Sequence, residues 1–133
     1  MAAPRLTVLY DADCGFCRFW VARLLDWDVR RRLRPVAIQS GEGERLLADM
    51  PVGERLRSAH VVDAAGRIRS GGAALSIVAE QLPAGAPVAW LADRLPGPTE
   101  RFYRWVADHR TPLSRFVPAG LKRRASARIA RRA

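Results

Sequence analysis

The feature that most constrains this chain is a junction near its N-terminus, where Leu6-Thr-Val-Leu-Tyr10 runs through Asp11-Ala-Asp13 into Cys14-Gly-Phe-Cys17. Five apolar or β-prone residues in a row predict a short buried strand. Asp11-Ala-Asp13 is a turn with helix-capping chemistry, and Asp13 is the expected N-cap. From Cys14 to about Trp27 the pattern turns helical. It places Cys17, Trp20, Val21, Leu24 and Leu25 on one face and Arg18 and Arg23 off it. Both cysteines therefore fall where a strand ends and a helix begins. Trp20 and Trp27 are read as core residues.

The elements that follow limit the fold further. Leu33-Arg-Pro-Val-Ala-Ile38 predicts a second strand, and Pro35, which lacks an N–H, assigns it to a sheet edge. A short helix is expected within Gly41–Met50, with Leu46 and Leu47 inward and Pro51 ending it. Ser58–Asp63 and Arg67–Arg69 flank Ala64-Ala65-Gly66, a hairpin signal. Gly71-Gly72 opens a helix carrying Ala74, Leu75, Ile77, Val78 and Leu82, stopped by Pro83. The order β-α-β-(α)-β-β-α is that of an α/β, thioredoxin-like core, in which the crossover helix lets the first two strands run parallel. Val88–Leu95 and Glu100–His109 predict additional C-terminal helices. Leu113–Pro118 reads as irregular. One domain is expected over 1–120, followed by a basic tail over 121–133, disordered or helical. As a helix, the tail would align Leu121, Ala125 and Ile129.

Charge matters mainly for that tail. The net charge of +10 divides unevenly. Residues 1–108 hold 15 Arg against 13 Asp and Glu, whereas 109–133 hold eight basic residues and no acid. The cluster Lys122, Arg123, Arg124, Arg128, Arg131 and Arg132 is a candidate contact for nucleic acid or an anionic membrane surface. The competing reading is a solvated arginine-rich tail, because no RNA-binding signature accompanies it and Phe116 is the one aromatic nearby. Met1–Arg5 has no apolar stretch of the kind found in a secretory leader, and no run of about 20 apolar residues occurs, so no transmembrane segment is expected. A cytoplasmic setting follows.

In such a setting a Cys-x-x-Cys pair is redox-active or metal-binding more often than structural. A bridge between Cys14 and Cys17 would close too small a loop to restrain the unfolded chain much. A zinc site usually needs four ligands, and only His60 and His109 remain, at spacings matching no zinc motif, so no metal is expected. Two inert buried cysteines are the other alternative. The redox reading has a physical basis. Unpaired N–H groups at a helix start place partial positive charge beside Cys14 and favour its thiolate. Cys17, one turn on, lies within bridging reach. On this reading Cys14 attacks a disulfide and Cys17 resolves the mixed disulfide. Gly15 would admit a substrate backbone, Phe16 would shield the pair or rest on a partner, and Arg18 would favour the thiolate. Asp11 and Asp13 act in the opposite sense. His60 reads as a satisfied core or edge histidine.

The segment Tyr10-Asp-Ala-Asp-Cys-Gly-Phe-Cys17 resembles the signature of the DCC family of predicted thiol–disulfide oxidoreductases, named for Asp-x-x-Cys-x-x-Cys and matched by Asp11, Cys14 and Cys17. Ser58 before a strand, the hairpin, and Ser70 ahead of Ala74-Leu75 resemble the middle of the family. Pro96 and Tyr103-x-x-Val-Ala-x-x-Arg110 resemble its C-terminal part. The resemblance implies a thiol–disulfide oxidoreductase with Cys14 and Cys17 as catalytic residues. It needs no cofactor beyond their reversible disulfide. Its partners would be a protein or small-molecule thiol or disulfide and an electron donor. Asp11, Asp13, Gly15 and Phe16 would support the site. There are two departures from related sequences. Asp13 stands where the family often has Gly. Ser58-Ala59 stands where thioredoxins place a cis-proline, making these two residues the candidate substrate groove. The alternative function is a non-catalytic binding module acting through the basic tail.

Overall fold

A computed structural model describes residues 6–115 and 117–132. The expectations for Met1–Arg5 and Phe116 lie outside the described residues. The strands are β1 (Leu6–Tyr10), β2 (Leu33–Ala37), β3 (His60–Val62) and β4 (Ile68–Ser70). The helices are α1 (Gly15–Trp27), α2 (Gly41–Leu46), α3 (Val52–Arg55), α4 (Gly72–Gln81), α5 (Ala86–Arg94), α6 (Pro96–Asp108), α7 (Arg110–Ser114) and α8 (Ala119–Arg132). The strands form one mixed sheet in the order β2-β1-β3-β4. β1 runs parallel to β2 and antiparallel to β3, and β3 and β4 form the hairpin. This is a mixed α/β architecture compatible with a thioredoxin-like fold. Pro35 lies on the edge strand, as its missing N–H requires.

Both faces of β1 are covered, which explains why four of its five residues are apolar rather than alternating with polar ones. Leu6, Val8 and Tyr10 face a core shared with Val21 and Leu25 of α1, Ala74 and Val78 of α4, and Ile129 of α8. Leu9 faces the opposite way, into a smaller cluster with Val36, Ile38, Leu47 and Val62. There α2 approaches the end of β2 closely. A Cβ on Gly43 would lie 2.2 Å from the Ala37 carbonyl oxygen and 2.7 Å from that of Ile38. Backbone carbonyls at a strand end cannot withdraw as a flexible side chain can. Gly43→Ala is therefore expected to lower stability by about 1–3 kcal/mol, read as a lower urea midpoint with the slope unchanged. An unchanged midpoint would show that α2 is loosely seated.

Several expectations are revised. Trp20 and Trp27 are surface residues, 51% and 42% exposed, and the buried face of α1 is Val21, Ala22 and Leu25. Trp20 instead stacks edge-on with Phe16 and Phe19, and the Trp27 indole donates to the Pro83 carbonyl at 2.7 Å. Indoles supply apolar contact area while remaining wet at one edge, so helical spacing alone does not bury them. α2 ends at Leu46, before Pro51, and Pro51 instead caps the short α3. α6 begins at Pro96 rather than near Glu100, and part of the segment read as irregular is α7. In both helices the prolines fall in the first turn, where no intrahelical N–H is needed.

The basic C-terminal segment is helical. α8 packs along α1, with Ala125 and Ile129 buried and Leu121 at the margin. Arg128 donates to the Asp26 carboxylate at 2.9 Å. Arg132 donates at 2.7 Å to Asp28, whose side chain is fully buried. The same Asp28 carboxylate accepts the N–H groups of Arg32 and Leu33 at 3.0 and 2.8 Å. One buried carboxylate thus joins the end of α1, the start of β2 and the end of α8. No described helix is long and apolar enough to cross a membrane.

Candidate active site

The turn after β1 is held by its own polar groups. The Asp11 carboxylate accepts the Asp13 N–H at 2.9 Å and the Gln39 amide N–H at 2.7 Å. Gln39 in turn accepts the Ala12 N–H at 3.0 Å. Asp13 is exposed and is not the helix cap. The N-cap is Cys14, whose Sγ accepts the Cys17 N–H at 3.3 Å. The nucleophile candidate therefore occupies the position where helix amides point outward unpaired, and it takes one of them itself. Arg18, expected near the thiolate, donates to the Ala12 carbonyl at 3.0 Å and so braces the turn.

The two thiols differ strongly. The Cys14 thiol is lowered from 9.0 to about 6, first because the Cys17 thiol donates to its sulfur. The Cys17 N–H and the nearby Arg110 guanidinium act in the same direction, while burial and the Asp11 charge oppose them. Cys17 is pushed up, because it is the hydrogen-bond donor of the pair, because it is the more buried, and because a Cys14 thiolate would lie beside it. Its opposing influence is Arg110, whose Nη1 lies 3.5 Å from the Cys17 Sγ.

Arg110 is the residue that local reading missed. Its guanidinium donates to the Leu56 carbonyl at 2.8 Å and lies 3.7 Å from the Asp11 carboxylate. It therefore touches Cys17, the β1 turn and the segment before β3 at once. Arg110 belongs to the Tyr103–Arg110 block noted as a family likeness, but nothing within that block indicates a partner 93 residues away.

Cys14 opens onto a cleft of about 420 Å³, lined also by Asp11, Asp13, Arg110, Arg115 and Lys122. Gly15 lies on this cleft, but its face is covered. A Cβ there would come within 2.7 Å of the Lys122 Cδ. The space expected for a substrate backbone is therefore occupied by a lysine stem. Phe16 contacts Trp20 rather than the cleft. Ser58 lines a second cleft, and Arg110 borders both. Ala59 is spoken for on both sides of its peptide. Its N–H donates to the Tyr103 hydroxyl at 2.8 Å, and its carbonyl accepts the Gly71 N–H at 3.3 Å. Burial is also the main reason the Tyr103 phenol is raised. His60 is buried, with Nδ1 2.6 Å from the Ser70 hydroxyl and Nε2 2.8 Å from the Arg55 carbonyl. It is a satisfied core residue on β3.

Among known families, the description that matches is DCC1-like thiol-disulfide oxidoreductase, over residues 8–116. No curated protein and no solved structure matches the chain.

Proposed function

The chain belongs to the DCC1-like thiol-disulfide oxidoreductase family, and on that premise we propose that Cys14 and Cys17 exchange between dithiol and disulfide, Cys14 attacking and Cys17 resolving. The observation that carries the reading is the asymmetry of the pair. Cys14 caps α1 and accepts from Cys17, while Cys17 donates and lies deeper.

In the forward step the Cys14 thiolate attacks one sulfur of a substrate disulfide, and the substrate S–S bond breaks. Its electron pair leaves with the first thiolate. Cys17 then loses its proton and attacks the Cys14 sulfur of the mixed disulfide, and the second substrate thiol departs. Two electrons pass from the dithiol to the substrate, and the Cys14–Cys17 disulfide remains for a dithiol donor to reduce. Arg110 assists the second step, because its guanidinium is the cation beside Cys17 as that thiol deprotonates. The disulfide is the only redox group in this scheme, and a reducing cytoplasm is the setting proposed for it.

The basic-tail alternative is less well supported. Arg128 and Arg132 are engaged within the fold and Lys122 lies over Gly15, leaving Arg123, Arg124 and Arg131 as exposed charges of the cluster.

The test combines reactivity and redox state. With its thiol lowered to about 6, Cys14 is mainly thiolate at pH 7. Iodoacetamide should label Cys14 with a rate that rises with pH about a midpoint near 6 and levels off above it, while Cys17 stays unlabelled. Mild oxidation should remove two hydrogens from the intact mass, and dithiothreitol should restore them. A Cys14 labelling midpoint near 9, or failure of the pair to form a reversible bond, would refute the proposal.

A further inference from the structure

The charges around Cys14 do not balance once their partners are assigned. Asp11 is engaged by Gln39, by the Asp13 N–H and by Arg110. Arg110 is engaged by Leu56, Ala107 and Cys17 as well as by Asp11. That leaves Arg115 and Lys122 as the cleft cations without a carboxylate partner, and Asp13, which accepts a Gln39 amide N–H at 3.5 Å, as the cleft carboxylate without a cationic partner among the described residues. Among the described residues, neither Arg115 nor Lys122 has a carboxylate within 4.0 Å.

Lys122 is also placed rather than loose. Its aliphatic stem crosses Gly15 so closely that a Cβ there would meet Cδ at 2.7 Å and Cε at 2.8 Å. The docking of α8 on α1, through Ala125 and Ile129, holds the lysine at that position beside the cysteine. A lysine whose stem covers apolar surface keeps its ammonium at the water-exposed end, here on the cleft that Cys14 lines.

The charge changes during exchange. A free Cys14 thiolate offsets one of the two remaining cations, and Asp13 offsets the other. When Cys14 enters a mixed disulfide its negative charge leaves with the departing thiolate, and the cleft is left with one uncompensated positive charge. A carboxylate on the sulfur-bound half of the substrate would restore the balance at that stage.

We propose that this cleft selects small disulfides bearing a carboxylate close to the sulfur, with Lys122 and Arg115 as the specificity-determining residues. The proposal rests on the exchange reaction above and names its substrate class. The cleft volume of about 420 Å³ is within the range of small-molecule sites. The chemistry is that given above: the Cys14 thiolate displaces one half of the carboxylate-bearing disulfide, Cys17 displaces the other, and a dithiol regenerates the pair.

The test measures single-turnover rates of the reduced full-length protein with 3,3′-dithiodipropionate, 2-hydroxyethyl disulfide and cystamine, which are anionic, neutral and cationic. Each rate is divided by that of dithiothreitol with the same disulfide, which removes differences in intrinsic leaving ability. The corrected rates should fall from carboxylate to hydroxyl to ammonium. The span should be about tenfold at low ionic strength and should shrink as salt screens the cleft. In Lys122→Met with Arg115→Met, circular dichroism establishing that the variant is folded, the ratio of carboxylate to neutral rate should drop by about three- to tenfold. Equal corrected rates in the unmodified protein, or a ratio unaltered in the folded double variant, would overturn the proposal. Failure with all three disulfides would instead overturn the exchange reaction beneath it.

Discussion

Cys14→Ser is expected to abolish disulfide exchange, lowering the rate by about a thousandfold or more, because a serine hydroxyl supplies no thiolate at neutral pH. Cys17 cannot take over. It lies deeper, and burial still pushes its thiol up once the Cys14 sulfur is gone. Cys17→Ser should behave differently. Cys14 keeps the helix cap and the Cys17 position still offers its backbone N–H, so the first attack proceeds. Without a resolving thiol the mixed disulfide accumulates, visible as one substrate half added to the intact mass. Cys14 in this variant should also have a higher labelling midpoint, since the donation from the Cys17 thiol heads the causes that lower it. A serine hydroxyl replaces part of that donation, so the rise should be smaller than in Cys17→Ala. Full turnover by Cys14→Ser, or no trapped adduct in Cys17→Ser, would reverse the assignment of roles.

The second large effect concerns the C-terminus. Removing residues 121–133 should prevent cooperative folding, because α8 is part of the core rather than an appendage. The deletion uncovers the α1 face under Ala125 and Ile129, removes Arg128 from Asp26, and strips Arg132 from the buried Asp28. Losing one partner of a buried ion pair costs about 3–5 kcal/mol, and losing a buried isoleucine costs about 2–5 kcal/mol. Together these approach the whole stability of a small domain, about 5–15 kcal/mol. A cleaner measurement uses point variants. Arg132→Met should be strongly destabilised because the Asp28 carboxylate is left buried with only N–H partners on its oxygens. Asp28→Asn combined with Arg132→Met should recover part of the loss, since no charge is then stranded. A truncated chain that melts like the full one, or a double variant with no recovery, would show that the helix is not integrated.

These two predictions divide along the line between what was legible in the sequence and what was not. The order of elements from β1 to α4 follows from local pattern: short β-prone runs, a helical period after Cys14, and Gly or Pro at the breaks. The edge position of β2 follows from Pro35, and the junction that caps the helix beside Cys14 follows from the spacing of Asp11, Cys14 and Cys17. The cap itself lies one residue later, at Cys14 rather than Asp13: the Asp13 N–H is tied back to the Asp11 carboxylate within the turn, and the Cys14 sulfur takes the Cys17 N–H.

The rest depended on pairings that periodicity does not encode. Trp20 and Trp27 have the spacing of core residues but lie at the surface, since a helical pattern identifies an apolar stripe and not how wide a stripe the neighbours cover. Lys122, Arg128 and Arg132 read as members of one basic run, yet the fold sends them to Gly15, Asp26 and Asp28 respectively. Ser58-Ala59 was the expected groove, but Tyr103 and Gly71 occupy the Ala59 backbone, and Arg110 takes the position beside the cysteines.

By itself, then, the sequence determined the Cys-x-x-Cys pair, the strand-to-helix junction that holds it and the family. Only the tertiary structure decided which cations surround Cys14 and that the basic helix packs into the core. The physical reason is range: capping, turn chemistry and amphipathic periodicity act over a few residues along the chain. The fields of Arg110 and Lys122 act over a few ångströms in space, between groups that only the packing of α7 and α8 against α1 brings together.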